Sequence, residues 1–166
     1  MPLELQERGQ WHNSEMSRNK NVGNAGEFYV LAQLAQRGYI AGKTDDGQTL
    51  IDIIATDSET LKSVNIQVKT TRDGRNIPEW IMNIKNEQVH KNLWYVLVEI
   101  KSEDLLPNFF IYHSNEIGPT LAHDHSEYQK GTKKDGSPRK DGPMRRYRPN
   151  AEELMQHKDN WGQMFN

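Results

Sequence analysis

The chain has 166 residues, of which 34% are hydrophobic and 27% are charged, and its formal net charge is −2. This length suits one domain with a single buried core and is too short for two. The absence of cysteine excludes disulfides, thiolate zinc sites and cysteine nucleophiles. No apolar run approaches the roughly 20 residues of a membrane span, and the N-terminus lacks the apolar core of a signal peptide, so we expect a cytoplasmic protein without a membrane partner.

The N-terminal part of the chain predicts an arm followed by a helix. Residues 1–21 are polar, with a lone Trp11, and predict a flexible arm. Residues from about 25 to 37 predict a helix that Gly38 ends. The apolar stripe of this helix is Phe28, Leu31, Leu34 and Ala35. Glu27 precedes two stripe residues by four and by seven positions, so we expect its carboxylate to point toward the core. A carboxylate there, in the first turn, would also interact favourably with the positive N-terminal end of the helix dipole.

Gly42-Lys43-Thr44 follows this helix and invites comparison with a phosphate-binding loop. That loop requires G-x-x-x-x-G-K-[ST], but Gly38 lies four residues before Gly42 instead of five. The sequence therefore gives no support to a nucleotide-binding site at this position.

Two strands with polar interruptions come next. Residues 50–55 form an apolar run broken by Asp52, and residues 64–69 alternate apolar with polar. The polar stretch between them has the length of a hairpin connection, which predicts antiparallel pairing. Because side chains alternate faces along a strand, Gln67 and Lys69 should share one face. Asp52 would be buried and needs a cation, which a metal ion or an ion pair with Lys69 would supply.

The later elements are predicted from shorter patterns. Residues 80–82 predict a strand, residues 94–100 predict a buried strand, and residues 109–112 predict a strand that pairs with it. Asn150, with Glu153 three positions on, predicts a capped helix near the end of the chain. His123-Asp124-His125 alternates potential metal ligands, but without a third partner nearby these residues are typical of a polar surface loop.

Basic residues concentrate between Lys130 and Arg148, where eight basic residues stand against two acids. Two Asp-Gly steps and two prolines in this basic segment predict a mobile loop or an extended hairpin. The segment would bind phosphates with an affinity that falls with salt, or it is an ordinary solvated loop. The residues that we expect to bind nucleic acid are Lys133, Lys134, Arg139, Lys140, Arg145, Arg146 and Arg148.

The order of helix acid, strand acid and strand lysine resembles the PD-(D/E)XK nuclease superfamily. The resemblance rests on Gly23-Asn24-Ala25-Gly26-Glu27, on Leu50-Ile51-Asp52-Ile53-Ile54-Ala55 and on Gln67-Val68-Lys69-Thr70-Thr71. The resemblance extends over about residues 20–165, and within the superfamily the sequence is similar to a small bacterial branch. It implies a restriction-endonuclease-like α/β fold with a central mixed β-sheet flanked by helices, in a single nuclease-like domain over residues 22–166.

The resemblance also implies a chemistry and four site residues. Asp52 would be the central ligand of Mg²⁺ or Mn²⁺, and Glu27 would add charge directly or through water. Gln67 stands where the family usually has Asp or Glu, and its amide oxygen and the Val68 carbonyl would complete the ligand set. Lys69 would orient or activate the attacking water. The expected function is hydrolysis of DNA phosphodiester bonds, and duplex cutting would suit a homodimer.

The glutamine keeps a second interpretation open. Some members of the superfamily with glutamine at this position are active, and others have lost catalysis. The alternative is therefore a catalytically inactive nucleic-acid-binding or adaptor protein on the same fold.

Overall fold

The computed structural model describes residues 3–45, 50–72 and 74–166, and among them the side chains from residue 19 onward. The α-helices are α1 (Leu3–Gln36), α2 (Ser114–Gln129) and α3 (Ala151–His157). The strands are β1 (Ile40–Lys43), β2 (Ile53–Thr56), β3 (Ser63–Thr71), β4 (Trp80–Asn83), β5 (Leu93–Glu99), β6 (Asn108–His113) and β7 (Met144–Tyr147). Two 3₁₀ turns cover Ile84–Glu87 and Trp161–Met164. Within the described ranges, no helix is both long and apolar enough to cross a membrane.

Five strands form the central sheet, in the order β1-β2-β3-β5-β6. β3 and β5 run parallel, whereas the other neighbouring strands run antiparallel, so the sheet is mixed. The antiparallel pairing of β2 with β3 and of β5 with β6 confirms the pairings predicted from the sequence. Short connections between these strands explain the agreement, because parallel strands need a longer crossover.

The two faces of the sheet carry separate cores. The core beneath α1 includes Val30 and Leu34 from the helix and Val64, Ile66 and Val68 from β3. The core on the opposite face joins β5 and β6 to β4, β7, α2 and α3. Its buried residues are Trp80, Met82, Leu93, Tyr95, Leu97, Phe110, Tyr112, Ile117, Leu121, Tyr147 and Leu154. The predicted α/β architecture, with helices flanking a central mixed sheet, is therefore confirmed.

Helix α1 differs from its prediction at its start and in its buried face. It begins at Leu3, so the backbone of residues 3–21, predicted as an arm before the helix, belongs to the helix. Val30 and Leu34 are fully buried, but Phe28 of the predicted stripe is 61% exposed. The helix ends as predicted, because Gly38 adopts a φ of +86° that favours glycine.

Gly26 brings α1 close to β3. A Cβ atom at this position would lie 1.9 Å from Thr70 Oγ1, a distance that no real contact allows. Because the contact residues Gly26, Val30 and Leu34 recur every four positions, they lie along one side of the helix. The buried stripe of α1 is therefore rotated from the predicted one. The prediction used hydrophobic residues only, and Gly26, where the helix comes closest to β3, is not hydrophobic.

The C-terminal half contains two features that differ from the predictions. α2 includes His123, Asp124 and His125, which the sequence pattern places in a loop. β4, predicted as a strand, pairs with β7 in a separate two-stranded antiparallel sheet, which we call the ribbon. α3 begins at the predicted cap, where Asn150 Oδ1 accepts a hydrogen bond from Glu153 N at 2.9 Å.

Candidate functional site

Asp52 and Gln67 face each other across the β2–β3 pair. Ile53 pairs with Ile66, and Asp52 N donates to Ile66 O at 2.9 Å, so the next position on each strand brings Asp52 opposite Gln67. Asp52 Oδ2 accepts hydrogen bonds from Val68 N at 2.7 Å and from Gln67 Nε2. Asp52 and Gln67, which the sequence predicts on paired antiparallel strands, are thus in direct contact.

The surroundings of Asp52 change its acidity. Burial raises the pKa of Asp52 from 3.8 to about 6, although the hydrogen bond from Val68 N lowers it. The charge of Glu27 adds to the increase, while the charges of Lys69 and Lys43 oppose it. A carboxylate in such a place gains from a nearby cation, because burial penalises its charged form.

Lys69 lies in the same charged group. Gln67 and Lys69 pair with Tyr95 and Leu97 of β5 in the parallel register, which places all four side chains on one face of the sheet. Burial lowers the pKa of Lys69, and the charges of Asp52 and Glu27 raise it to a smaller extent. The ammonium group is therefore partly desolvated and lies within the electrostatic influence of both carboxylates.

Glu27 reaches the group from α1 and is joined there by Lys43. Lys43 Nζ lies 2.7 Å from Glu27 Oε2, and the two side chains are only 25% and 17% exposed. Lys43 pairs with Ile53 in the β1–β2 register, beside Asp52. The sequence analysis considered Lys43 only for a nucleotide loop and did not include it in this site. The sequence feature that could have indicated Lys43 is its position in a short strand just before the Asp52 strand.

The donor atoms of this group fit a hard divalent cation. Gln67 Nε2 contacts Asp52 Oδ2 and lies 3.4 Å from Val68 O, so the amide is positioned between two oxygens. A half-turn of the amide would direct Oε1 to the same place, giving three oxygen donors, with Glu27 as an additional carboxylate. Oxygen ligands of this kind suit Mg²⁺. In the described ranges no cluster of three or more His, Cys, Asp and Glu residues forms a conventional metal site.

The predicted nucleic-acid-binding residues fall into three structural groups. Lys133, Lys134 and Lys140 are exposed in the irregular stretch between α2 and β7. Arg139 donates to Tyr128 O at 2.7 Å and lies 4.2 Å from the Tyr128 ring centroid. The remaining residues, Arg145, Arg146 and Arg148, bind carboxylates of the protein itself.

These three arginines differ in their surroundings: Arg145 is a buried structural residue, whereas Arg146 and Arg148 are surface residues. Arg145 is buried, contacts Glu87 through Nε and donates to Gly142 O at 2.7 Å. Arg146 and Arg148 are about half exposed and both contact the buried carboxylate of Glu79. The charge run thus combines a buried ion pair with a surface cluster.

A groove of about 850 Å³ lies between α2 and β7, away from Asp52. His125 and Arg146 line it, together with Asp124, Glu127 and Tyr128. His125 Nε2 contacts Asp141 Oδ1 at 2.9 Å, and this pair has no third metal-ligating partner within the described residues. The groove shares no residue with the Asp52 site.

The same fold occurs in a solved nuclease. The chain is similar to a bacterial homing endonuclease, I-Ssp6803I, with a TM-score of 0.54 and 10% sequence identity over 87% of this chain and 91% of that chain. No protein-family model and no curated protein matches the sequence. At this identity the similarity shows a shared fold. The structure is therefore a mixed α/β domain that shares its fold with this endonuclease, and it carries a carboxylate directly before β2 and a glutamine and a lysine on β3.

Proposed function

We propose that this protein is a metal-dependent endonuclease of the PD-(D/E)XK type that hydrolyses phosphodiester bonds of DNA with Mg²⁺ or Mn²⁺. The observation that carries this proposal is the partly buried carboxylate of Asp52, held by Gln67 and Val68 N with Lys69 and Glu27 in electrostatic range. The shared fold with a homing endonuclease supports it.

Each side chain has a role that its surroundings favour. Asp52 and Glu27 would hold the metal ion, and the Gln67 amide oxygen would be a neutral ligand. When bound, the metal ion neutralises developing charge and lowers the pKa of water. Lys69, on the same face as Gln67, would orient the attacking water and stabilise charge on the phosphate. Its lowered pKa also makes proton transfer through its amine easier.

One observation favours a second candidate function. The Gln67 amide already donates a hydrogen bond to the Asp52 carboxylate, so this pair is stable without a metal ion. It has one carboxylate fewer than the usual PD-(D/E)XK site. A protein that binds nucleic acid on this fold without cutting it would keep the same contact.

Plasmid nicking distinguishes the two functions. Supercoiled DNA is incubated with wild type, Asp52→Asn and Lys69→Met in Mg²⁺ or Mn²⁺. We expect wild type to nick the plasmid and each variant to lose at least about a hundredfold in rate. Matched controls are Asp57→Asn and Lys62→Met on the exposed β2–β3 turn, which should nick as wild type does.

Two outcomes would reject the nuclease proposal. Equal nicking by wild type and both site variants would attribute the activity to a contaminant. No nicking by wild type, together with no binding of Mg²⁺ or Mn²⁺ in calorimetry, would favour the non-catalytic binding protein.

A further inference from the structure

The ribbon of β4 and β7 has one buried face and one exposed face. Trp80, Met82 and Tyr147 point into the core shared with β5 and β6. The alternate residues Ile81, Met144 and Arg146 are about half exposed, and Ile81 lies directly opposite Arg146. Two strands can therefore present a compact row of long side chains on one side. Met144 and Arg146 also line the groove beside α2, which Asp124 and Glu127 face.

The exposed face combines apolar groups with positive charge. Ile81 is 51% exposed and Met144 is 55% exposed, although both occupy a regular strand next to a core. Arg146 lies opposite Ile81 and two positions from Met144 on the same face, with 46% of its side chain exposed. Exposed apolar side chains that adjoin charged ones indicate a surface for a partner.

An arginine cluster borders this face. Glu79, which is buried, contacts Arg75 Nη1 at 2.9 Å and Arg146 Nη1 at 2.8 Å, and also contacts Arg148 Nε. Burial raises the pKa of Glu79, but the hydrogen bond and charge of Arg148 and the charges of the other two arginines lower it overall, so the carboxylate stays ionised. Within the described residues, three guanidinium groups contact one carboxylate.

The ribbon lies on the same side of the central sheet as Gln67 and Lys69, whereas Glu27 approaches the site from the side of α1. The inner face of the ribbon packs on Tyr95 and Leu97, and these residues are in register with Gln67 and Lys69. A ligand bound to the ribbon is therefore on the same side of the central sheet as Gln67 and Lys69.

We propose that the outer face of the ribbon enters the major groove of duplex DNA. The major groove is about 12 Å wide and admits a two-stranded β-ribbon. Arg146 would contact base edges, Ile81 and Met144 would contact thymine methyl groups, and Arg75 and Arg148 would bind the flanking phosphates. This inference deepens the proposed function, because it names duplex DNA as the substrate and the ribbon as the element that binds it.

Asn83, the other exposed residue of β4, caps the 3₁₀ turn that follows the strand. Its side chain accepts a hydrogen bond from Lys85 N at 3.1 Å. Arg146 Nη1 is likewise engaged, with Glu79, but the guanidinium has further N–H donors, so Arg146 is the polar side chain of the ribbon that we assign to base contacts.

Anisotropy measurements with a labelled 30-base-pair duplex of mixed sequence test the inference. EDTA is present, so that metal-dependent cleavage cannot affect the result. We expect Arg148→Ala to weaken binding about tenfold and to reduce the slope of log K against log salt by about one. Ile81→Ala and Arg146→Ala should also weaken binding, and Lys62→Ala, at the far end of β3, should bind as wild type does. Thermal melts of all variants establish that they are folded.

Groove blocking identifies the contacted side of the duplex. Bulky substituents at the 5-position of pyrimidines fill the major groove and should weaken binding at least about tenfold, whereas a minor-groove ligand should have little effect. Unchanged binding by the ribbon variants, or sensitivity to the minor-groove ligand alone, would overturn the inference. So would a change from dimer to monomer in Ile81→Asp with DNA binding intact, because the ribbon would then be a protein interface.

The binding and nicking measurements test the two proposals independently, so either proposal can be rejected without the other. Ribbon variants that bind DNA normally, while Asp52→Asn still abolishes nicking, would remove the ribbon inference and leave the nuclease. Weakened binding in the ribbon variants with no nicking by wild type would leave the ribbon as a DNA-binding element and remove the nuclease.

Discussion

Asp52 occupies a position where burial and hydrogen bonding act in opposite directions on one carboxylate. Burial raises its pKa to about 6, and the hydrogen bond from Val68 N keeps it from rising further. Aspartate is seldom buried unless it is paired or binds a metal. At the scale of single residues, this carboxylate is the strongest indication of function in the described chain.

The raised pKa of Asp52 gives a test through stability. Because the folded state binds the proton more tightly than the unfolded state, the contribution of this group is complete below about pH 4 and is lost as the pH rises through about 6. In EDTA, wild type should lose roughly 1–3 kcal/mol relative to Asp52→Asn between pH 4 and pH 7. Urea denaturation of both proteins measures this, and a difference independent of pH would contradict the raised pKa.

Substitution of Gln67 tests its proposed role as a ligand. Gln67→Glu places a second carboxylate beside Asp52, so we expect calorimetry to show unchanged or tighter binding of Mg²⁺ and Mn²⁺. Asn65→Asp is the matched control, because it adds a carboxylate on the same face of β3 but two positions away. Clearly weaker metal binding by Gln67→Glu alone would refute the ligand role.

At the scale of elements, the contact of α1 with β3 positions Glu27 beside the sheet. It depends on Gly26, since a Cβ atom there would overlap Thr70. Gly23 in the same helix has nothing within 4 Å of an added Cβ atom. The two glycines therefore separate the effect of packing from the effect of helix propensity.

We expect opposite effects from alanine at these two glycines. Gly26→Ala should lower the free energy of unfolding by roughly 1–3 kcal/mol through overpacking. Gly23→Ala should raise it by up to about 1 kcal/mol, because alanine favours the helix. Denaturant titrations measure both changes, and Thr70→Ala should restore part of the stability of Gly26→Ala. Equal effects at the two positions would contradict the close contact.

The basic segment contains residues of two kinds, which mutation can separate. Arg145→Met should destabilise the fold by roughly 3 kcal/mol, because it leaves the mostly buried carboxylate of Glu87 without its partner. Lys133→Ala and Lys134→Ala, at exposed positions, should leave the melting temperature unchanged and each reduce the salt slope of DNA binding by about one. If the lysine variants keep the wild-type slope, the segment is a solvated loop.

At the scale of the whole molecule, the described part of one chain carries one candidate site. A duplex has two strands, so a double-strand break by simultaneous cutting requires two sites, and a symmetric dimer supplies them. We therefore expect dilute protein to give nicked circles and concentrated protein to give linear DNA, in step with the dimer fraction from sedimentation. Linear product formed in one step by a purely monomeric protein would contradict this prediction.

The candidate site shows how far the sequence alone could lead. Asp52, Gln67 and Lys69 were predictable as a group, because a polar connection and alternating side chains define both the β2–β3 pairing and its faces. Lys43 was not, since its contact with Glu27 joins a short strand to a helix whose rotation depends on packing. Whether these residues bind a metal ion stays a prediction.

The sequence by itself determined the local features: the strand periodicities, the helix end at Gly38, the cap at Asn150 and the antiparallel neighbours joined by short connections. These follow from interactions between residues that are close in the chain. Only the tertiary structure decided α2, which contains the helix-breaking pair Gly118-Pro119, the parallel pairing of β3 with β5, and the ribbon that joins β4 to β7. These depend on contacts between distant segments, and their register is selected by how well side chains fill two shared cores, which no local pattern encodes.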